Sequence, residues 1–456
     1  MLEQPVRNAA VNMKADRVKP RYGRDIYYAD GLKKSAQIVA CCRVKWHTSN
    51  KDPAELTCSG CCFLLLFVTT SVPTILLDVT RLVDRLYSGL VPTGIDRVGL
   101  AYIERYGASA RAVLSERGFV TILNERDSQR VFSWLMITNR NRSAIRKLIA
   151  RAVLQRPWEK PVTDGVLLHT SHSGLEYRRY YESMKRRQIR TVFMVHDLIP
   201  LTHPEYCRPG VDAIHRRRMH TAFAHADGLI ANSQATLTSM AIEADHTGIL
   251  LPASVVAPLA TGFARSTTPT APPLGSPYFV MLGTIEPRKN HWFMLHLWRQ
   301  LTEKFGTATP KLVVIGRRGW ECENVVDMLD RCNSLRHTVV EENNCSDEKL
   351  DQWLQHARAL LFPSFVEGYG MPLAEALAAR VPVIASDLPV FREIAEDIPD
   401  YLDPLDGPGW ISRIESYSRD DSADRNAQLD RIQRFREPTW ADHFCSVDSL
   451  IKALRQ

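Results

Sequence analysis

Two glutamates eight positions apart, Glu367 and Glu375, lie in the segment Phe362-Pro-Ser-Phe-Val-Glu-Gly-Tyr-Gly-Met-Pro-Leu-Ala-Glu375. The apolar residues before Pro363-Ser364 read as a strand, and Pro372 stands where a helix would begin, because its missing N–H is unpaired in a first turn anyway. Gly368 and Gly370 let the backbone between them come close to a ligand. The helix would then aim free N–H groups and the positive end of its dipole forward, which suits a diphosphate. Glu367 falls in the loop and Glu375 one turn inside the helix, so both can face one ligand. Carboxylates accept hydrogen bonds from vicinal hydroxyls, which sugars and riboses supply. Two solvated glutamates around a turn are the plain alternative; the coincidence of spacing, glycines, proline and preceding strand favours the functional one.

A second pattern, Gly283-Thr-Ile-Glu-Pro-Arg288-Lys289-Asn290, places a glycine at a strand end and two adjacent cations before a helix. That arrangement is suited to neutralising a diphosphate, with Lys289 the better candidate. Alone it reads as readily as a solvated charge pair; the glutamate motif about 80 residues on favours function. In Thr93-Gly94-Ile-Asp96-Arg97-Val98, Thr93 and Asp96 have capping-box spacing. Gly94 and Arg97 are candidates for a phosphate or acceptor loop, with an ordinary surface role for Arg97 equally open. His196 ends an apolar strand, where a lone histidine is more often structural than catalytic. Asn232-Ser233 ends the next strand and suits a helix cap.

These motifs need a frame that points strand ends at one another. Short apolar runs alternate with helical patterns from Thr74 onwards: 74–79, 166–171, 191–197 and 228–233, then 278–283, 311–316, 337–342, 359–364 and 381–386. Such alternation predicts α/β architecture with parallel sheets. A Pro/Ser/Thr-rich stretch at 266–277 separates the two series as a linker. The expected organisation is an N-terminal domain at 68–265, that linker, a C-terminal domain at 278–435 and a terminal helical segment at 436–456. Ligands in open α/β sheets bind beyond the strand carboxyl ends, hence in a cleft between the two domains.

The 456 residues exceed one ordinary core, and 45% hydrophobic with 24% charged residues is a normal globular composition. Residues 1–67 hold eleven Lys/Arg against six Asp/Glu, so they carry most of the net charge of +7. The rest is nearly neutral, which argues against nucleic acid as a partner. That first segment lacks periodicity and reads as a disordered extension or a mis-assigned start. Its apolar run 61–68 falls short of a membrane span. Cys58 and Cys61 have no second pair to complete a zinc site, so free thiols in a reducing cytoplasm are expected. Two basic stretches (Arg140, Arg142, Arg146, Lys147 and Arg151; Arg178, Arg179, Lys185, Arg186, Arg187 and Arg190) read first as solvated helix faces. Peripheral contact with the inner face of an anionic membrane is their alternative.

The Glu367–Glu375 segment resembles the Glu-x7-Glu motif of retaining GT-B glycosyltransferases, in particular glycosyltransferase family 4. The Gly283–Asn290 segment is similar to that of bacterial members, many of them mannosyltransferases. The resemblance implies a GT-B fold of two Rossmann-like domains facing across a cleft. It implies transfer of a sugar from a nucleoside diphosphate sugar to a glycan or lipid-linked acceptor in bacterial surface polysaccharide synthesis, with the anomeric configuration retained. Glu367 would act near the anomeric centre and His196 would contact the donor sugar. Glu375 would take the ribose hydroxyls, and the amides of Gly368, Tyr369, Gly370 and Met371 the distal phosphate and sugar. Gly283, Arg288 and Lys289 would face the diphosphate, with no cofactor and no obligatory metal. Relatives often carry an arginine directly after the first glycine; here that position is Thr284, and compensation by Arg288 is one of two open readings. Similarity around 283–290 points to GDP-mannose. A nucleotide-sugar epimerase or a phosphorylase of the same fold, or a nucleotide-sugar binder without turnover, are the rival readings.

Overall fold

The computed structural model describes residues 74–90, 93–137, 147, 162–262 and 271–456. The expectations for residues 1–67, for linker positions 266–270 and for the first basic stretch apart from the exposed Lys147 fall outside them. The described residues belong to one unit, Pro73–Gln456.

Its first sheet contains β1 (Thr74–Asp78), β2 (Arg111–Glu116), β3 (Phe119–Ile122), β4 (Gly165–His169), β5 (Ile189–Val195), β6 (Gly228–Ala231) and β7 (Ala253–Val256). The spatial order is β3-β2-β1-β4-β5-β6-β7, parallel throughout except for the β2–β3 hairpin. The second sheet contains β8 (Tyr278–Leu282), β9 (Lys311–Ile315), β10 (Val339–Glu342), β11 (Leu360–Phe362), β12 (Val383–Ser386) and β13 (Asp400–Leu402). It is ordered β10-β9-β8-β11-β12-β13 and wholly parallel.

The central strands are largely apolar because helices cover both faces. Leu77, Leu168, Val192 and Met194 pack on one side of the first sheet; Leu76, Leu167, Phe193 and Val195 pack on the other. The second sheet divides likewise, with Val280, Val313 and Val383 against Phe279, Val314 and Ile384. Strand order reverses between β1 and β4 and again between β8 and β11, so each sheet has a crevice at its carboxyl edge.

The last helix, Trp440–Ala453, follows the second sheet in sequence but buries Phe444, Val447, Leu450 and Ile451 in the core of the first. His443 fixes its position. Its Nε2 accepts from Tyr102 Oη at 2.9 Å, and its Nδ1 donates to the carbonyls of Ala257 and Pro258. Burial lowers the His443 pKa to about 4, so the ring stays neutral in this polar seam. No helix among the described residues is long and apolar enough to cross a membrane.

Candidate active site

After β8 the chain turns at Gly283 (φ 142°) and enters a short 3-10 turn, Pro287–Lys289, that Asn290 ends in the left-handed region (φ 59°). The N–H of Phe365, in the loop after β11, donates to the Arg288 carbonyl at 2.9 Å and ties the turn to that loop. The tie brings the two charged motifs together. Lys289 Nζ lies 2.5 Å from Glu367 Oε1, and Arg288 Nη1 lies 2.6 Å from Glu367 Oε2. Ser364 Oγ donates to Glu367 Oε1 at 2.8 Å, while Arg288 Nη2 also pairs with Glu286 at 2.6 Å. Burial alone would raise the Glu367 pKa, yet the two cations and these hydrogen bonds pull it down to about 2. Burial lowers the pKa of Lys289 despite its partner. Burial likewise raises that of Glu286, against the pull of Arg288. The result is a buried carboxylate held ionised between two cations, at the edge where β8 and β11 diverge.

The helix Met371–Ala378 starts directly after Gly370 (φ 117°), with Pro372 in its first turn. A side chain at Gly370 would meet the Phe391 ring at 2.8 Å and would be strained at that φ, so glycine is required. Glu375 is buried, and its Oε1 accepts from the Gly262 N–H at 3.1 Å. Arg97 reaches across from the helix Gly94–Tyr106 of the first domain, donates to the Gly262 carbonyl at 2.5 Å and pairs with Asp347 of the second domain. Burial raises the Glu375 pKa to about 7, against the opposing influence of Arg97 and of the Gly262 hydrogen bond. The Met371 sulfur comes within 3.2 Å of where a Gly94 Cβ would stand. The capping box is present, with Asp96 accepting from the Thr93 N–H at 2.7 Å. Asp96 is also buried between Arg81 and Arg85, an anchor that no local motif announces.

His196, directly after β5, is buried; its Nε2 donates to the Thr170 carbonyl at 2.8 Å, and burial lowers its pKa. His172 and His215 stand beside it as a run of rings, His172 5.4 Å from His196 and 5.0 Å from His215 between centroids. Burial first, then the neighbouring histidines, hold His172 well below the usual range. The His196 carbonyl faces Gly368, where an added Cβ would lie 2.4 Å from it. Ser233 and Thr236 each donate a hydroxyl hydrogen bond of 3.1 Å to the Gly368 carbonyl. The Ser233 hydroxyl also accepts from the Thr236 N–H, so it caps its helix and crosses the cleft at once.

The candidates therefore fall into two groups. Gly283, Arg288, Lys289, Glu367, Gly368 and the backbone of His196 surround one centre; Glu375, Met371, Gly94 and Arg97 surround a second, around Gly262. Tyr369 turns its ring away, and its hydroxyl donates to the Leu259 carbonyl as an interdomain strut. Sequence reasoning missed Ser364, Glu286, Gly262 and Asp347. Of these, Ser364 and Glu286 lay inside the quoted motifs, while the other two are brought in only by tertiary structure. In the second basic stretch, Arg178 pairs with Glu182, Arg190 pairs with Asp227 and Arg179 lies over the Phe119 ring. Among the described residues no cluster of three or more His, Cys, Asp or Glu could hold a metal ion.

Two Rossmann-like α/β domains meeting at their strand carboxyl ends, with the terminal helix returning to the first, define the GT-B fold. Residues 265–399 match the family model of glycosyl transferases group 1. The serotype-specific mannosyltransferase WbdA of Escherichia coli is 30% identical over 259 residues, covering 51% of this chain and 31% of that protein. The O-antigen chain mannosyltransferase RfbU of Salmonella typhimurium is 31% identical over 142 residues, 30% of this chain and 38% of its own length. The chain thus spans about a third of the length of these relatives. Among solved structures, Anabaena HepE in complex with UDP-glucose superposes with a TM-score of 0.57 at 16% identity, covering 84% of this chain and 100% of that one.

Proposed function

We propose that the chain is a retaining glycosyltransferase of family 4 that moves a sugar from a nucleoside diphosphate sugar to a hydroxyl of a glycan or lipid-linked acceptor. GDP-mannose is the proposed donor, and surface polysaccharide synthesis the proposed setting. The observation that carries the reading is the meeting of Arg288, Lys289 and Glu367 beside the N-terminus of the Met371–Ala378 helix. The similarity to mannosyltransferases supports the sugar.

In this reading the two cations and the free amides of the helix stabilise the departing diphosphate as the bond between the anomeric carbon and its oxygen breaks. The departing diphosphate keeps the electron pair of the broken bond, and the acceptor oxygen forms the new bond to the anomeric carbon and gives its proton to that diphosphate. Once the diphosphate draws Arg288 and Lys289 towards itself, Glu367 is left to stabilise positive charge at the anomeric carbon. His196, neutral and anchored on the Thr170 carbonyl, contacts the donor sugar. Glu375 holds the ribose hydroxyls. No cofactor enters this scheme, and no obligatory metal.

A thermal-shift screen of nucleoside diphosphate sugars, followed by product detection, tests the proposal. Transfer releases free nucleoside diphosphate together with a glycosylated acceptor. An epimerase would change the sugar and keep the nucleotide link, and a pure binder would do neither. The proposal requires the first outcome.

A further inference from the structure

The cleft is bridged by a contact that none of the motifs contains. Glu393, in the helix Pro389–Ala395 of the second domain, accepts from the backbone N–H of Gln234 at 2.6 Å with Oε1 and from that of Ala235 at 3.1 Å with Oε2. Gln234 and Ala235 are the first residues of the helix Gln234–Thr247 in the first domain. Helix N-termini leave backbone donors without partners, and a carboxylate there gains both the hydrogen bonds and the dipole. Here that carboxylate comes from the other domain and takes two donors at once.

The same helix end touches the donor loop. Ser233 and Thr236, the residues on either side of the two clasped amides, donate to the Gly368 carbonyl. Beyond Tyr369, Gly370 and Met371 open the helix whose amides are proposed to meet the diphosphate. The His196 carbonyl, which Asn232 Nδ2 holds at 2.8 Å, lies against the Cα of Gly368 with no room for a side chain. Glu393 therefore pins one helix end to the second domain, and that helix end fixes the orientation of the loop from Gly368 to Met371.

We propose that Glu393 is a positioning residue for the transfer reaction: it clasps the N-terminus of the Gln234–Thr247 helix so that Ser233 and Thr236 set the loop Gly368–Met371 in its working orientation. Glu393 touches neither donor nor acceptor in this scheme. The proposal rests on the transferase reading for its kinetic consequence, but its structural half stands apart from it.

Glu393→Ala and Glu393→Gln, compared with the full-length wild type, test both halves. Hydrogen–deuterium exchange should show faster exchange in Glu393→Ala at the amides of 234–236 and at those of Leu373 and Ala374, which donate to the Gly370 carbonyl. Glu393→Gln, which retains one acceptor oxygen, should fall between. With the donor that the wild type turns over, kcat should drop about tenfold in Glu393→Ala, and GDP affinity should fall by a smaller factor. A residue that served only global stability would lower the midpoint of unfolding without moving turnover of the folded protein. Unchanged exchange at Leu373 and Ala374 overturns the proposal whatever the transfer assay reads, as does an equal loss of GDP affinity and turnover. Absence of transfer by the wild type would instead count against the transferase reading, and the exchange result would still decide the role of Glu393.

Discussion

Lys289 Nζ sits 2.5 Å from Glu367 Oε1, and both side chains are more than nine-tenths buried. A buried ammonium and carboxylate at this distance stabilise each other, and removing either one takes a close opposite charge from the other. Lys289→Ala should therefore act twice. It takes one cation from the proposed diphosphate site, and a charge-assisted hydrogen bond of roughly 1.5–3 kcal/mol corresponds to a loss of GDP affinity of about tenfold to a hundredfold. It also leaves Glu367 with Arg288 and Ser364 alone, so the carboxylate should titrate at higher pH. Calorimetric titration with GDP checks the first effect, and the acid limb of the pH–rate profile checks the second.

Gly368 lies where the two domains touch through backbone. Gly368→Ala would place a methyl 2.4 Å from the His196 carbonyl and 2.6 Å from Asp197 Cβ. The clash cannot be relieved by a rotamer, so the domains must part. We expect a destabilisation of about 1–3 kcal/mol and transfer reduced by more than tenfold. Gly262→Ala meets mainly side-chain ends, the nearest being Glu375 Oε1 at 2.8 Å and Met371 Cε at 2.9 Å. It should cost less stability in urea unfolding than Gly368→Ala.

Much of this arrangement is legible in the sequence. The runs that became β1, β4, β5, β6, β8, β9, β11 and β12 are largely apolar because both sheet faces are covered, so they announce themselves without alternation. The β2–β3 hairpin is harder to read: Arg111 and Glu116 bound β2, and its turn is Arg117-Gly118 with φ of 46° and 80° rather than an Asn-Gly pair. β13, Asp-Tyr-Leu, and β7, Ala-Ser-Val-Val, are short and interrupted by polar residues, so no apolar run marks them. In the site, Glu367, Arg288 and Lys289 are legible because each motif is local. Glu393, Gly262 and Asp347 are not, because their partners lie more than a hundred residues away.

Burial raises the Glu375 pKa from 4.5 to about 7, and the sign of the consequence is definite. The folded state holds this proton more tightly than the unfolded chain between those pH values, so stability is greatest below the window and declines as pH rises through it. Glu375→Gln removes that slope. The mutant should gain on the wild type by an amount on the order of 3 kcal/mol or less between pH 4.5 and 8. Urea unfolding of both proteins across that range checks it. A wild-type advantage that grows with pH would contradict the shift.

The docking of the last helix depends on a polar seam inside a core. Tyr102→Phe keeps the ring and deprives His443 Nε2 of its donor at a site where His443 is fully buried. A buried acceptor left without a partner costs about 1–3 kcal/mol. Urea unfolding should show that loss, while transfer by the folded protein should stay within about twofold of the wild type.

The division of labour between the two glutamates is the most direct test of the account. Glu375→Ala should weaken binding of donor and free GDP alike by about tenfold to a hundredfold, with turnover at saturating donor largely kept. Glu367→Gln retains the shape and removes the charge, so it should leave GDP affinity nearly unchanged and depress turnover at saturation. Titrating both mutants with GDP and then measuring transfer at saturating donor separates the two effects. Equal losses of GDP affinity in the two mutants, or unaltered transfer by Glu367→Gln, would contradict the assignment of Glu367 to the reacting centre.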